Sequence, residues 1–166
     1  MVYDPDIHHR RSIRLRDYDY SCDGAYFVTI CTYQRECLLG EIMNRTMRLK
    51  EYGRIVQTQW QQLPEHYSGI QLDEFVVMPN HIHGIIEIVG AQSIVSTKTV
   101  GEIIRGFKAR CTYAINQLRN NPGSPVWQRN YYERVIRDDR ELDAIRQYIV
   151  ENPVKWEEDE NNPTRL

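Results

Sequence analysis

The sequence predicts an α+β protein, a single domain built on one antiparallel β-sheet with helices packed against it. Three observations carry that reading. Short runs of aromatic and β-branched residues mark strands, and longer stretches with apolar residues every three or four positions mark helices. Two of the strand-like runs are separated only by Pro79-Asn80, too short a link for anything but an antiparallel pair. The elements follow the order strand, helix, strand, strand, helix, strand, helix, which calls for helices layered on a sheet.

In chain order, residues 25–33 (AYFVTICTY) read as the first strand. Residues 46–67 read as a helix, because Leu49, Tyr52, Ile55, Val56, Trp60 and Leu63 recur at helical steps and Pro64 lies near its end. Residues 70–78 (IQLDEFVVM) and 81–89 are the next two strands, with Pro79-Asn80 as the turn or bulge between them. Residues 93–99 are polar. Thr97 or Thr99 can cap a helix running to about Asn120, with Val100, Ile103, Ile104, Phe107, Cys111, Ile115 and Leu118 on one side. Asn121-Pro122-Gly123-Ser124-Pro125 breaks it, and 126–136 reads as extended. Asp138 can cap a last helix from Asp139 to about Glu151, which Pro153 ends.

The chain has 166 residues, 41 % hydrophobic and 27 % charged, enough apolar material for one globular core. No apolar run approaches the roughly 20 residues that cross a bilayer. The basic N-terminus lacks the apolar stretch of a secretory signal, so a cytoplasmic location without membrane attachment is expected. Cys22, Cys31, Cys37 and Cys111 show no CxxC spacing and read as reduced, mostly buried thiols. The organisation expected is a basic arm over 1–24, a folded unit over 25–156 and an acidic tail over 157–166. The net charge of −2 hides that polarity, since the tail carries Glu157, Glu158, Asp159 and Glu160 against Arg165. The tail reads as a solvated charge run.

The chemistry concentrates in residues 78–88, MPNHIHGIIEI. Residues i and i+2 of a strand face the same way, so His81 and His83 project together inside an otherwise apolar strand. Two imidazoles so placed can grip one metal ion. Glu87 shares their parity, further along. A histidine-triad hydrolase would need a third histidine where Ile85 stands. A two-histidine phosphodiesterase or a cupin would need a second histidine motif, and none follows His83. A zincin helix would need i,i+4 spacing. In the last helix, Tyr148 and Asn152 are four residues apart and share a face. Locally they read as a core-edge aromatic and a helix cap.

Taken together, HIH after Met-Pro-Asn, a basic helix bearing Phe107-Lys108, WQRNYYERVIR and YIVENPVKW resemble the single-tyrosine HUH transposases. The opening RRSIRLRDYDYSCDGAYFVTICTYQRECLLGEI resembles the REP-associated tyrosine transposases within that group, and the likeness spans about residues 10–156. The resemblance implies a ferredoxin-like or RRM-like sandwich and a metal-dependent nuclease and strand transferase. His81 and His83 would be metal ligands, Tyr148 the nucleophile that forms a 5′-phosphotyrosine link, and Asn152 a third ligand. Mixed imidazole and amide ligation suits Mg²⁺ or Mn²⁺. The expected substrate is single-stranded DNA with hairpins, handled by a monomer or homodimer, with Tyr148 serving its own or a partner's histidines.

DNA must also be held. Arg10, Arg11, Arg14 and Arg16 could form an arm, and Arg105, Lys108 and Arg110 on the central helix could contact phosphates. Arg129, Tyr132 and Arg134, with Tyr131 and Trp127, mix charge with aromatic faces on which unpaired bases stack, although Trp127 suits a core. Two other readings stand beside the enzyme: a non-catalytic hairpin DNA-binding protein derived from a transposase, and an RNA-binding protein.

Overall fold

The computed structural model describes residues 24–89 and 98–165. Arg10, Arg11, Arg14, Arg16 and Cys22 therefore lie outside the described residues. The elements are β1 (Gly24–Cys31), a 3₁₀ turn (Tyr33–Arg35), β2 (Gly40–Met43), β3 (Thr46–Leu49), α1 (Glu51–Gln61), α2 (Leu63–His66), β4 (Ile70–Val77), β5 (His81–Ile88), α3 (Val100–Leu118), β6 (Tyr132–Ile136), α4 (Asp139–Glu151) and a second 3₁₀ turn (Trp156–Glu158).

The main sheet has the order β4-β5-β1-β6, with every neighbouring pair antiparallel. This is the split βαβ arrangement, and it is the α+β sandwich expected. It puts β1 and β5 in the middle. Both of their faces must then be apolar, and β5 is almost wholly buried.

Alternation divides each strand between two cores. Tyr26, Val28 and Ile30 of β1 and Ile82, Ile86 and Ile88 of β5 pack with Val56 and Trp60 of α1 and Ile103, Ile104 and Phe107 of α3. Phe27 and Ile85 face the other way, where Ile136 and α4's Leu142, Ile145 and Ile149 meet them. The larger core fills one side of the sheet, and α4 covers the other. Gly84 is what permits the first core its shape. A Cβ there would lie 2.3 Å from the Trp60 ring, which stacks on Phe75 at 4.7 Å between centroids.

Thr99 is the cap of α3: its hydroxyl accepts from Glu102 N, and the Glu102 carboxylate accepts from Thr99 N, a reciprocal capping box. Asp138 caps α4 by accepting from Glu141 N at 2.8 Å.

Three expectations change. The helix read over 46–67 begins only at Glu51, because Thr46–Leu49 pairs with Gly40–Met43 as a small separate hairpin. Asn44 and Arg45 turn it with φ of 51° and 61°, the left-handed pair that a two-residue hairpin loop needs. Of the extended stretch over 126–136, only Tyr132–Ile136 joins the sheet, while Trp127 forms a single bridge to Thr32. The acidic segment also departs from a solvated run. Asn161 and Asn162 are buried, and Asn80 Nδ2 donates to the Asn161 carbonyl at 2.7 Å.

Candidate active site

His81 and His83 lie on the α4 side of β5, and their Nε2 atoms are 3.1 Å apart. Each ring is held from behind. Asn80 donates both amide hydrogens, to the carbonyls of Arg35 at 3.0 Å and Asn161 at 2.7 Å. Its Oδ1 must therefore accept from His81 Nδ1–H, 2.9 Å away. That fixes the tautomer and leaves a lone pair on His81 Nε2. Thr29 Oγ1, on the neighbouring position of β1, is 2.7 Å from His83 Nδ1 and can fix the second ring likewise. Phe27 stacks on His83 at 5.5 Å and 23°.

With Thr29 accepting from Nδ1–H, the two Nε2 lone pairs would face one another, an arrangement suited to a shared cation. The separation is about the spacing between adjacent ligands on an ion bound at roughly 2.1 Å. Burial pulls the His81 imidazole down to about 4 although the Asp159 carboxylate and Asn152 act in the opposite direction. His83 is held well below the usual histidine range by burial and by His81. Both rings are neutral near pH 7, the form that ligates metal.

α4 crosses the same face. Its Tyr148 hydroxyl lies 3.4 Å from His83 Nε2 of the same chain. Tyr148 is 44 % exposed, so the residue stands at the edge of the site. Burial raises the Tyr148 phenol above its usual value, and Asp159 and Glu160 add to this against the opposing hydrogen bond of Asn152. Asn152 is only 4 % exposed, and its Oδ1 has no hydrogen-bond partner. A buried amide oxygen without a donor, beside His81 and Tyr148, fits a third ligand to a hard cation.

The site holds one residue that the sequence reading placed in solvent. Asp159 has its side chain 7 % exposed and Oδ2 3.7 Å from His81 Nε2. His81, His83 and Asp159 form a cluster whose potential ligand atoms all lie within 4.8 Å of one another. Thr29 and Asn80 were also not singled out for the site. Parity points to Thr29 only once the β1–β5 register is known, and Pro79-Asn80 reads in sequence as a turn signal.

A family model described as "Transposase IS200 like" matches residues 24–152. The chain belongs to the IS200-like transposases. It is 42 % identical to an uncharacterized protein of Haemophilus influenzae, over 95 % of this chain and 96 % of that one. It is 28 % identical to a second Haemophilus influenzae protein, provisionally named a REP-associated tyrosine transposase, over 82 % and 74 % of the two chains. Among solved structures, a REP-associated tyrosine transposase bound to a REP hairpin matches with a TM-score of 0.63 at 20 % identity, covering 87 % of this chain and 74 % of that one. A protein of Deinococcus radiodurans provisionally called a transposase matches with a TM-score of 0.52 at 16 % identity, over 86 % and 98 %. These two likenesses establish the fold. The family match ends at Asn152, so Asp159 comes from beyond it.

The remaining candidates are dispersed. Arg105 is exposed on α3, across the sheet from the histidines. Arg110 lies over the Tyr67 ring at 5.5 Å. Lys108 donates to the carbonyls of Gln128 at 2.5 Å and Asn130 at 3.3 Å, tying α3 to the loop before β6. Trp127 is buried in the larger core. Arg129 is exposed, and Arg134 pairs with Glu141 at 2.5 Å. Tyr132 stands opposite Thr29 on the histidine face, its ring 6.2 Å from Phe27. Glu87, of like parity, lies further along β5, opposite Ala25 of β1 and Gln71 of β4. Among the described residues, no helix is long and apolar enough to cross a membrane.

Proposed function

We propose that this transposase is a metal-dependent, single-stranded DNA endonuclease and strand transferase acting on DNA that carries hairpins. One observation carries the reading: a tyrosine hydroxyl from α4 meets a pair of buried, neutral histidines 65 residues earlier in the chain. A packing tyrosine has no need of two lone pairs aimed at its side of the sheet.

His81, His83 and Asn152 would hold Mg²⁺ or Mn²⁺, with Asp159 close enough to join them. When bound, the ion would polarise a phosphoryl oxygen and help to orient the scissile phosphate. Tyr148 enters protonated and loses its proton as its oxygen bonds to phosphorus. The bond from phosphorus to the 3′ oxygen breaks, and that oxygen leaves as a 3′-hydroxyl after taking a proton. The product is a 5′-phosphotyrosine. A 3′-hydroxyl attacking this link restores the phosphodiester and frees Tyr148, so no nucleotide cofactor is consumed. The hairpin-bound relative supports the substrate class.

The test is incubation of labelled single-stranded hairpin DNA with the chain, with Mn²⁺ or Mg²⁺ and with chelator. Wild type should form a metal-dependent covalent adduct, and Tyr148→Phe should form none. Tight hairpin binding with no adduct from wild type would replace this reading with a non-catalytic binder.

A further inference from the structure

Five non-glycine residues among those described have left-handed φ. Three have ordinary explanations. Asn44 and Arg45 turn the β2–β3 hairpin, and Asn120 follows the end of α3. Gln34 and Arg35, at φ of 53° and 55°, are the middle residues of a turn closed by Glu36 N donating to the Tyr33 carbonyl at 3.2 Å, but this turn joins no hairpin. They lie between β1 and β2, where a longer loop could have avoided the strain. Such conformations persist only when their surroundings impose them.

The surroundings here are the metal cradle itself. Thr32 N donates to the Asn80 carbonyl at 2.9 Å, and Thr32 Oγ1 donates to the Glu36 carbonyl at 2.7 Å. Asn80 Nδ2 grips the Arg35 carbonyl at 3.0 Å while Asn80 Oδ1 orients His81. One amide thus sets both the imidazole and the backbone of Arg35. The guanidinium Nη1 donates only a long bond, 3.4 Å, to the carbonyl of Glu160, the neighbour of Asp159, whose Oδ2 lies 3.7 Å from His81 Nε2. No carboxylate pairs with it among the described residues. A cation carried beside a site on a fixed backbone, with donors to spare, is suited to a phosphate oxygen.

We propose that Arg35 is a phosphate-binding residue of the site, held in its strained backbone by Asn80 so that its guanidinium engages the DNA backbone beside the reacting linkage. This rests on the nuclease reading for its substrate, but its test does not require cleavage. Glycine adopts the left-handed region without strain, so Arg35→Gly removes the guanidinium and keeps the loop. Its melting temperature should equal or exceed that of the parent.

The measurement uses the full chain carrying Tyr148→Phe, with and without Arg35→Gly. Its probes are hairpin oligonucleotides with a single-stranded flank in which each linkage in turn is an uncharged methylphosphonate. Arg35→Gly should weaken binding of the unmodified probe by about 10-fold. At one or two adjacent linkages the methylphosphonate should weaken the parent similarly, with no further loss on adding Arg35→Gly. Arg35→Lys should recover part of the affinity. Losses that add at every linkage, or unchanged affinity in Arg35→Gly, would overturn the assignment of Arg35. No binding by either chain would remove the DNA reading and this one together. If wild type forms no adduct but the coupling is present, Arg35 stands and the nuclease reading falls.

Discussion

At the residue scale the site depends on hydrogen bonds that point away from it. Asn80 spends its amide hydrogens on two backbone carbonyls so that its oxygen can hold one proton on His81. Asn80→Ala should therefore leave the sheet intact but weaken Mn²⁺ binding about 10- to 100-fold, the usual effect of losing a ligand's supporting bond. Titration by Mn²⁺ paramagnetic resonance would measure it, and unchanged affinity would mean that Asn80 is only a turn residue. His81, His83 and Tyr148 were readable because strand parity and the order of four sequence blocks are local facts. Asp159 was not. A run of acidic residues reads as solvated, and long-range contacts such as that of Asn161 with Asn80, across 81 positions, turn it inward.

At the scale of elements, α4 brings Tyr148 and Asn152 to the histidines, and its placement has an anchor at each side of the sheet. Arg146 grips Asp73 of β4 with two nitrogens, at 2.9 and 2.5 Å. Glu141 takes Arg134 of β6. Arg146 holds the Asp73 carboxyl below its ordinary value. A depressed carboxylate stabilises the fold above its unfolded pKa and loses that contribution as pH falls through the folded value. Arg146→Ala should thus lower the melting temperature slightly at pH 7, with the gap to wild type closing as pH drops below 4, since the pair is partly exposed. Adduct formation should slow more than stability falls, because the helix carries the proposed nucleophile. The β2–β3 hairpin was the element that sequence reading missed. Its strands are four residues long, its turn lacks glycine, and Leu49 continues the apolar spacing of α1.

At the scale of the whole molecule, the two faces of the sheet are unequally furnished. One carries the extensive core under α1 and α3, and the other a small cluster under α4. Secondary structure held by few apolar contacts opens more readily. In metal-free protein, amide hydrogens of α4 should exchange faster than those of α3. Adding Mn²⁺ should slow exchange in α4 selectively and raise the melting temperature, because an ion shared by β5 and Asn152 would favour the closed state. Hydrogen exchange followed by mass spectrometry would show it, and uniform protection would deny α4 this role.

The 3.4 Å approach of Tyr148 to His83 within one chain has a further consequence. If the proposed nuclease acts as a single chain, it carries one nucleophile, Tyr148, and holds one severed strand end at a time. Moving a DNA segment requires two breaks. A solitary molecule must then make them in succession, resealing the first before opening the second, unless two molecules converge on the same stretch of DNA. The geometry of a single hydroxyl thereby bears on the bookkeeping of strand ends: whether a segment leaves intact, or is nicked and closed where it stands.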